Sequence, residues 1–199
     1  KDGQTDDLLK IEITNNGVSG AGAIEFGTLT VVFGSETGKV FGSAEMNSLF
    51  GSITVFYDEG KDGYGIGTDR IMGSTTDFSS AGTITIGFGE NTYATITSAA
   101  SSTYYLVVTL KPNASGTRTR NFKATIAPLD RNDVKVRDES TNIPLILTAN
   151  STSIASSTMV TAVPIDPVAT VSDTAYFIFP YPGTALEDIQ RQMSEDQQE

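Results

Sequence analysis

Short runs of alternating apolar and polar residues recur along most of this 199-residue chain. In the first run Leu9, Ile11 and Ile13 alternate with polar residues, and the sequence Asn15-Asn16-Gly17 follows. A period of two predicts a strand that is buried on one face, and Asn-Gly predicts a tight turn. No long amphipathic helix separates the runs, which argues against a parallel sheet with crossover helices. The pattern therefore predicts an all-β fold.

The predicted strands recur at the spacing expected of a sandwich or barrel. They are 9–13, 24–33, 52–57, 83–88, 93–97, 103–110, 120–126, 133–136, 143–147 and 157–163. We expect a sandwich of about seven to ten strands between Leu8 and Val163. One helical turn is expected within 43–50.

The character of the chain changes after Val163, where prolines become frequent. The apolar run Tyr176-Phe177-Ile178-Phe179 predicts a last strand or a docking segment for another domain or subunit. Thr184 and Glu187 have the spacing of a capping box, which predicts a short C-terminal helix. We therefore divide the chain into a sandwich at 1–163 and an appendage at 164–199.

Composition excludes several classes of protein. The chain has no Cys, His or Trp, and its net charge is −11. Without Cys or His there is no thiolate nucleophile and no imidazole base, so a bound metal should be a hard cation held by oxygen. The negative charge disfavours nucleic acid and anionic membranes as partners. No apolar run is long enough to span a bilayer, and we predict no direct membrane insertion.

Catalysis is not expected. The chain has no Gly-x-Ser-x-Gly elbow, and no motif supports a pair of catalytic carboxylates. Because the chain starts with Lys rather than Met, we expect a mature protein or an excised fragment.

One acidic, glycine-rich loop has the spacing of a calcium site. Asp58, Asp62 and Asp69 occupy positions 1, 5 and 12 of an EF-hand-like loop, and Gly63 occupies position 6, where the chain must turn sharply. Tyr64 follows at position 7, which supplies a backbone carbonyl. We predict one Ca²⁺ bound by the three carboxylates and the Tyr64 carbonyl.

The loop also departs from that pattern. Position 3 is Gly60, and position 12 is an Asp rather than the longer, bidentate Glu. Fewer ligands predict a dissociation constant of about 10⁻⁴ to 10⁻³ M, which is typical of extracellular modules. Glu59 and Asp77 are candidates for additional oxygens. The alternative is an acidic hairpin loop without an ion, because turns favour Asp and Gly in any case.

Several of these segments together resemble the repeat domains of large bacterial and archaeal cell-surface proteins of the S-layer type. They are Asn15-Asn16-Gly17 after an alternating strand, Val55-Phe56-Tyr57-Asp58, Asp62-Gly63 and Asp69-Arg70-Ile71-Met72-Gly73-Ser74. In that family a strand ending in Tyr-Asp enters an Asp/Gly-rich loop, which leaves through Asp-x-Ile/Leu-x-Gly. Thr103 to Val108 is similar to the family's penultimate strands.

The resemblance covers roughly residues 9–163. It implies an immunoglobulin-like antiparallel β-sandwich that acts as a spacer, lattice or adhesion module. It also implies that Asp58, Asp62 and Asp69 are the ligands of the loop. We expect a non-catalytic structural or adhesive module of a secreted or cell-surface protein, with neighbouring domains or copies of itself as partners.

Two other functions remain open. A filament or pilus subunit without its hydrophobic N-terminal helix could use 176–179 to extend a neighbour's sheet. A carbohydrate-binding module would bind surface glycans on an exposed row formed by Tyr64, Tyr93 and Tyr105. Separately, Asn113 and Asn150 each begin an Asn-x-Ser/Thr glycosylation acceptor at a predicted turn.

Overall fold

The computed structural model describes residues 2–18, 20–89, 95–116, 121–128, 130–148, 153–157 and 159–160. The chain divides into the units Lys1–Pro164 and Ile165–Glu199, and all the described residues belong to the first. The predicted strand at 176–179 and the predicted C-terminal helix lie outside the described residues.

Short strands dominate the described part of the chain. The strands are β1 (Thr5–Thr14), β2 (Ile24–Gly34), β3 (Phe50–Tyr57), β4 (Arg70–Thr75), β5 (Thr83–Gly87), β6 (Thr95–Ile96), β7 (Ser101–Leu110), β8 (Asn121–Ile126), β9 (Val134–Asp138), β10 (Ile154–Ala155) and β11 (Met159–Val160). A helix, α1 (Ser43–Leu49), precedes β3, and a 3₁₀ turn lies at Ala114–Gly116.

The strands pair antiparallel in two sheets. The first sheet has the order β1-β7-β3-β4. The second is built on β2, which pairs with β5, β6, β8 and β9, while β10 and β11 pair with β8. The sheets pack face to face, so the prediction of an all-β, antiparallel sandwich is confirmed. The immunoglobulin-like connectivity stays a prediction.

Aromatic side chains from both sheets meet in the core. Phe50 of β3 packs against Phe33 of β2 and Phe122 of β8, with ring centroids 5.0 and 5.2 Å apart. Phe26 of β2 packs edge-on against Tyr104 of β7 at 4.9 Å. All five side chains are at most 1% exposed. Alternation along each strand places these rings on the inner faces, where their burial stabilises the sandwich.

The prediction of a strand at 143–147 is wrong. In this segment only Pro144 forms an isolated bridge, to Arg137, and the Leu145 N–H donates to the Val136 carbonyl at 3.0 Å. Proline has no N–H to give to a ladder, so the alternation of apolar residues does not produce a continuous strand here. The segment instead runs beside β9.

The helical turn predicted within 43–50 is a full helix, α1. The N–H of Gly42 donates to the Glu45 carboxylate at 2.8 Å, as in a capping box, and this satisfies a backbone donor at the start of the helix. Met46 and Leu49 face the core and are fully buried. The helix ends at Leu49, and the extended backbone of Phe50 begins β3.

We predict that Gly82→Ala destabilises the sandwich. Gly82 accepts a hydrogen bond from the Phe33 N–H at 2.7 Å and donates to the Phe41 carbonyl at 2.8 Å. A Cβ at this position would clash with the Phe33 carbonyl oxygen, which is backbone and cannot move away. The free energy of unfolding in urea should fall by about 1–3 kcal/mol.

Gly87→Ala is the matched control, because a Cβ there meets nothing within 4 Å. It should change the free energy of unfolding by no more than about 0.5 kcal/mol. Equal effects of the two substitutions would contradict the close approach of the backbone at Gly82.

Candidate metal centre

The register of β3 and β4 brings two distant carboxylates together. Tyr57 and Arg70 form the last pair of this ladder, so Asp58 directly follows β3 and Asp69 directly precedes β4. The Asp58 N–H continues the pairing with β7 by donating to the Thr103 carbonyl at 3.0 Å. Both carboxylates are buried, with Asp58 4% and Asp69 9% exposed. The sandwich therefore holds two acidic side chains at the mouth of the connecting loop.

Left-handed residues fold the loop back toward its own entrance. Lys61, Gly63 and Gly67 have φ values of 56°, 101° and 90°. Glycine adopts this region without strain, as the sequence predicted for the turn at Gly63. Asp58 accepts the N–H groups of Asp62 and Gly63 at 3.2 and 3.3 Å, one on each carboxylate oxygen. These hydrogen bonds stabilise the turn and place the Asp62 side chain next to the two buried carboxylates.

The three predicted carboxylates form one group. An oxygen from each of Asp58, Asp62 and Asp69 lies within 4.8 Å of the other two. Oδ2 of Asp69 accepts the Gly65 N–H at 2.8 Å, whereas its Oδ1 is buried and has no hydrogen-bond partner among the described residues. A charged oxygen that is buried and unpaired destabilises the fold by at least about 1–3 kcal/mol. The group can hold a metal ion, which would satisfy this oxygen.

Among the described residues, no basic side chain forms a salt bridge with the group. Neither of the salt bridges within the described ranges involves Asp58, Asp62 or Asp69. Arg70 directly follows Asp69 in sequence, and its guanidinium lies over the Tyr57 ring, 5.2 Å from the ring centroid. Like charges this close repel each other, and burial weakens the screening by water. A bound cation would convert this repulsion into attraction.

The side chain of Tyr64 covers the outer face of the first sheet. It packs on Phe56 at 5.4 Å and on Tyr105 at 5.9 Å, both of which alternate with core residues and so face outward. Its hydroxyl is buried with no hydrogen-bond partner within the described residues. Burial raises the pKa of Tyr64 above its ordinary value, and the charges of Asp7 and Asp69 raise it further. The loop is thus packed onto the sheet beside the carboxylates.

Some of the residues predicted for the site lie together in the structure, and others do not. It brings Asp58, Asp62 and Asp69 together, and the Tyr64 carbonyl stays a predicted ligand. Glu59 and Asp77 are not in the group, and Asp77 caps a turn instead, where hydrogen bonds from Ser79 lower its pKa.

The acidic start of β1 was not among the residues predicted for the site. Asp6 and Asp7 lie near enough to Tyr64 to raise its pKa, although they are more than fifty residues away in sequence. No local signal links the two segments, since they meet only because the loop folds across the sheet.

The other proposed surface features are only partly described. Tyr105 is 8% exposed and Tyr64 is half-buried against it, so these two do not present an exposed row, and Tyr93 lies outside the described residues. Asn113 is exposed at a turn, as a glycosylation acceptor requires. Asn150 lies outside the described residues.

Comparison with known proteins gives no relative. No protein-family model, no curated protein and no solved structure matches the chain. Across the described residues, no helix is both long enough and apolar enough to cross a membrane. The geometry of the acidic loop is therefore the best guide to function.

We predict opposite effects for two substitutions of Tyr64. Tyr64→Phe removes a buried hydroxyl that has no partner among the residues described and keeps the ring contacts, so it should raise the free energy of unfolding by up to about 1 kcal/mol. Tyr64→Ala also removes the contacts with Phe56 and Tyr105, and it should lower that free energy by about 1–2 kcal/mol. Urea unfolding at neutral pH measures both. Equal losses in the two variants would show that the hydroxyl makes a stabilising bond.

Proposed function

We propose that this chain is a calcium-stabilised, non-catalytic structural module of a secreted or cell-surface protein. The observation that carries the proposal is the buried Oδ1 of Asp69, which has no hydrogen-bond partner among the described residues and lies within a group of three carboxylates whose oxygens are within 4.8 Å of one another. A cation at this point would pair this oxygen and would offset the repulsion of the group.

The ligand chemistry favours calcium. Carboxylates are hard ligands, and the chain has no Cys or His for softer metals. Calcium accepts six to eight oxygens at about 2.3–2.6 Å, so oxygens on opposite sides of the ion lie roughly 5 Å apart. The spread of the carboxylate oxygens, within 4.8 Å, is compatible with this size. Asp62 is exposed, which leaves room for the water ligands that calcium tolerates in irregular loops.

The location of the site supports a structural role. An ion there would tie the end of β3 to the start of β4 and would hold Tyr64 against the outer face of the first sheet. Such a link stiffens a sandwich without performing chemistry. It suits a spacer, lattice or adhesion module whose partners are neighbouring domains or copies of itself.

The expected affinity supports an extracellular setting. A loop with few ligands should bind calcium with a dissociation constant of about 10⁻⁴ to 10⁻³ M, the range of extracellular modules. Such a site fills where calcium is abundant and stays empty at the low concentrations that cytosolic sensors detect. We therefore propose the cell surface as the location of this domain.

Thermal unfolding of the full chain tests the proposal. Calcium at about tenfold above the dissociation constant should stabilise the native state by about 1.4 kcal/mol relative to EDTA. For a domain of this size that corresponds to a rise in Tm of roughly 3–6 °C. Magnesium at the same concentration should give a smaller rise, because it demands a regular octahedral shell.

Two matched variants make the test specific. Asp69→Asn keeps the shape of the side chain but removes its charge, so the shift with calcium should be lost, while stability in EDTA should be unchanged or higher. Asp130→Asn removes one charge from an exposed residue outside the group and should keep the full shift. An unchanged Tm of the wild-type chain in calcium, or equal behaviour of the two variants, would refute the site.

A further inference from the structure

One edge of β1 carries no partner strand in the described part of the chain. β1 is ten residues long, and it pairs with β7 along one edge only. An edge strand presents unpaired N–H and C=O groups, which are a template for another strand. Since β1 is the edge strand of the first sheet, another strand could add to the sheet there.

A groove of about 730 Å³ lies beside this edge, and its lining is mostly apolar but includes polar residues such as Glu12 and Asn15. Its apolar lining comes from both sheets and from the segment after β9, and it includes Ile11, Ile13, Val136, Leu145, Ile146 and Ile154. Three of these side chains are well exposed, with Leu145 38%, Ile146 98% and Ile154 37% accessible. An apolar surface of this kind next to an open edge is typical of an interaction site.

The charges on β1 indicate which strand fits. Lys10 and Glu12 are exposed on its outward face, and neither forms a salt bridge within the described residues. They flank Ile11, so an antiparallel copy of β1 centred on Ile11 would place each Lys10 opposite the other copy's Glu12. Residues directly opposite in an antiparallel pair are close enough for their charges to interact.

Two other centres for the pairing of β1 with a second β1 are energetically less favourable. Centring it on Lys10 or on Glu12 would place two like charges directly opposite each other, which is unfavourable. Centring it on Ile11 pairs Leu9 with Ile13 and keeps the three buried side chains of β1, Leu9, Ile11 and Ile13, on the inner face. The sequence of the edge is thus self-complementary when it pairs about Ile11.

We propose that β1 binds β1 of a second copy of this chain, antiparallel and centred on Ile11. The first sheets of the two copies would join into one continuous sheet of eight strands, four from each copy. The two-fold axis makes the interface isologous, so the same edge serves both copies. The apolar grooves would then face each other across the axis and lose their contact with water. The proposal does not depend on calcium binding.

Sedimentation analysis of the full chain, in EDTA and in calcium, tests the pairing by charge reversal. The wild-type chain should form dimers. Lys10→Glu places Glu opposite Glu12 twice in each dimer, and Glu12→Lys places Lys opposite Lys10 twice, so each should raise the dimer dissociation constant at least about tenfold. The double variant restores two opposite-charge pairs and should return to the wild-type value. A mixture of the two single variants should form heterodimers.

A control substitution separates position from net charge. Glu36→Lys makes the same change of charge as Glu12→Lys at an exposed residue away from β1, and it should leave dimerisation unchanged or slightly stronger. A monomeric wild-type chain overturns the proposal. Dimers that ignore both single reversals, or a double variant that fails to recover, overturn it as well, because they place the interface elsewhere or in another register.

Discussion

Packing of Phe50 between the two sheets fixes the position of β3, and much of the molecule follows from it. The ring contacts Phe33 and Phe122 of the opposite sheet and is fully buried, so β3 cannot slide along β7 without removing it from the core. This register determines that β3 ends at Tyr57 and that Asp58 is the first residue of the loop. An apolar contact at one end of the strand thereby positions a charged site at the other end.

The loop after β3 combines features that oppose folding when considered alone. Its carboxylates lie close together, one buried carboxylate oxygen has no partner in the described part of the chain, and Lys61 adopts a left-handed backbone. Each is unfavourable by general principles, and proteins keep such features where a function compensates for them. A divalent cation would offset the first two directly. Tyr64, packed on the sheet, holds the loop in the conformation that gathers the carboxylates.

Much of the fold could be predicted because period-two alternation marks β1, and because the long strands β2 and β7 are rich in β-branched and aromatic residues. The same rule failed at 143–147, where Pro144 cannot donate to a ladder, and it gave no separate strand for β4, in which Met72 alone is a buried apolar side chain. The three carboxylates could be predicted from their spacing, which reflects a local turn. Their burial, the unpaired oxygen of Asp69 and the approach of β1 to the loop depend on contacts between distant segments, which a single sequence does not reveal.

A crystal structure of the protein grown with calcium tests the central claim most directly. A calcium site should give a strong density peak, with the anomalous signal of calcium, at about 2.3–2.6 Å from oxygens of Asp58, Asp62 and Asp69. The Oδ1 of Asp69 should be among the contacting atoms. A water molecule or no peak at this position, with calcium present at a concentration of about ten millimolar, would contradict the claim that the loop is a calcium site.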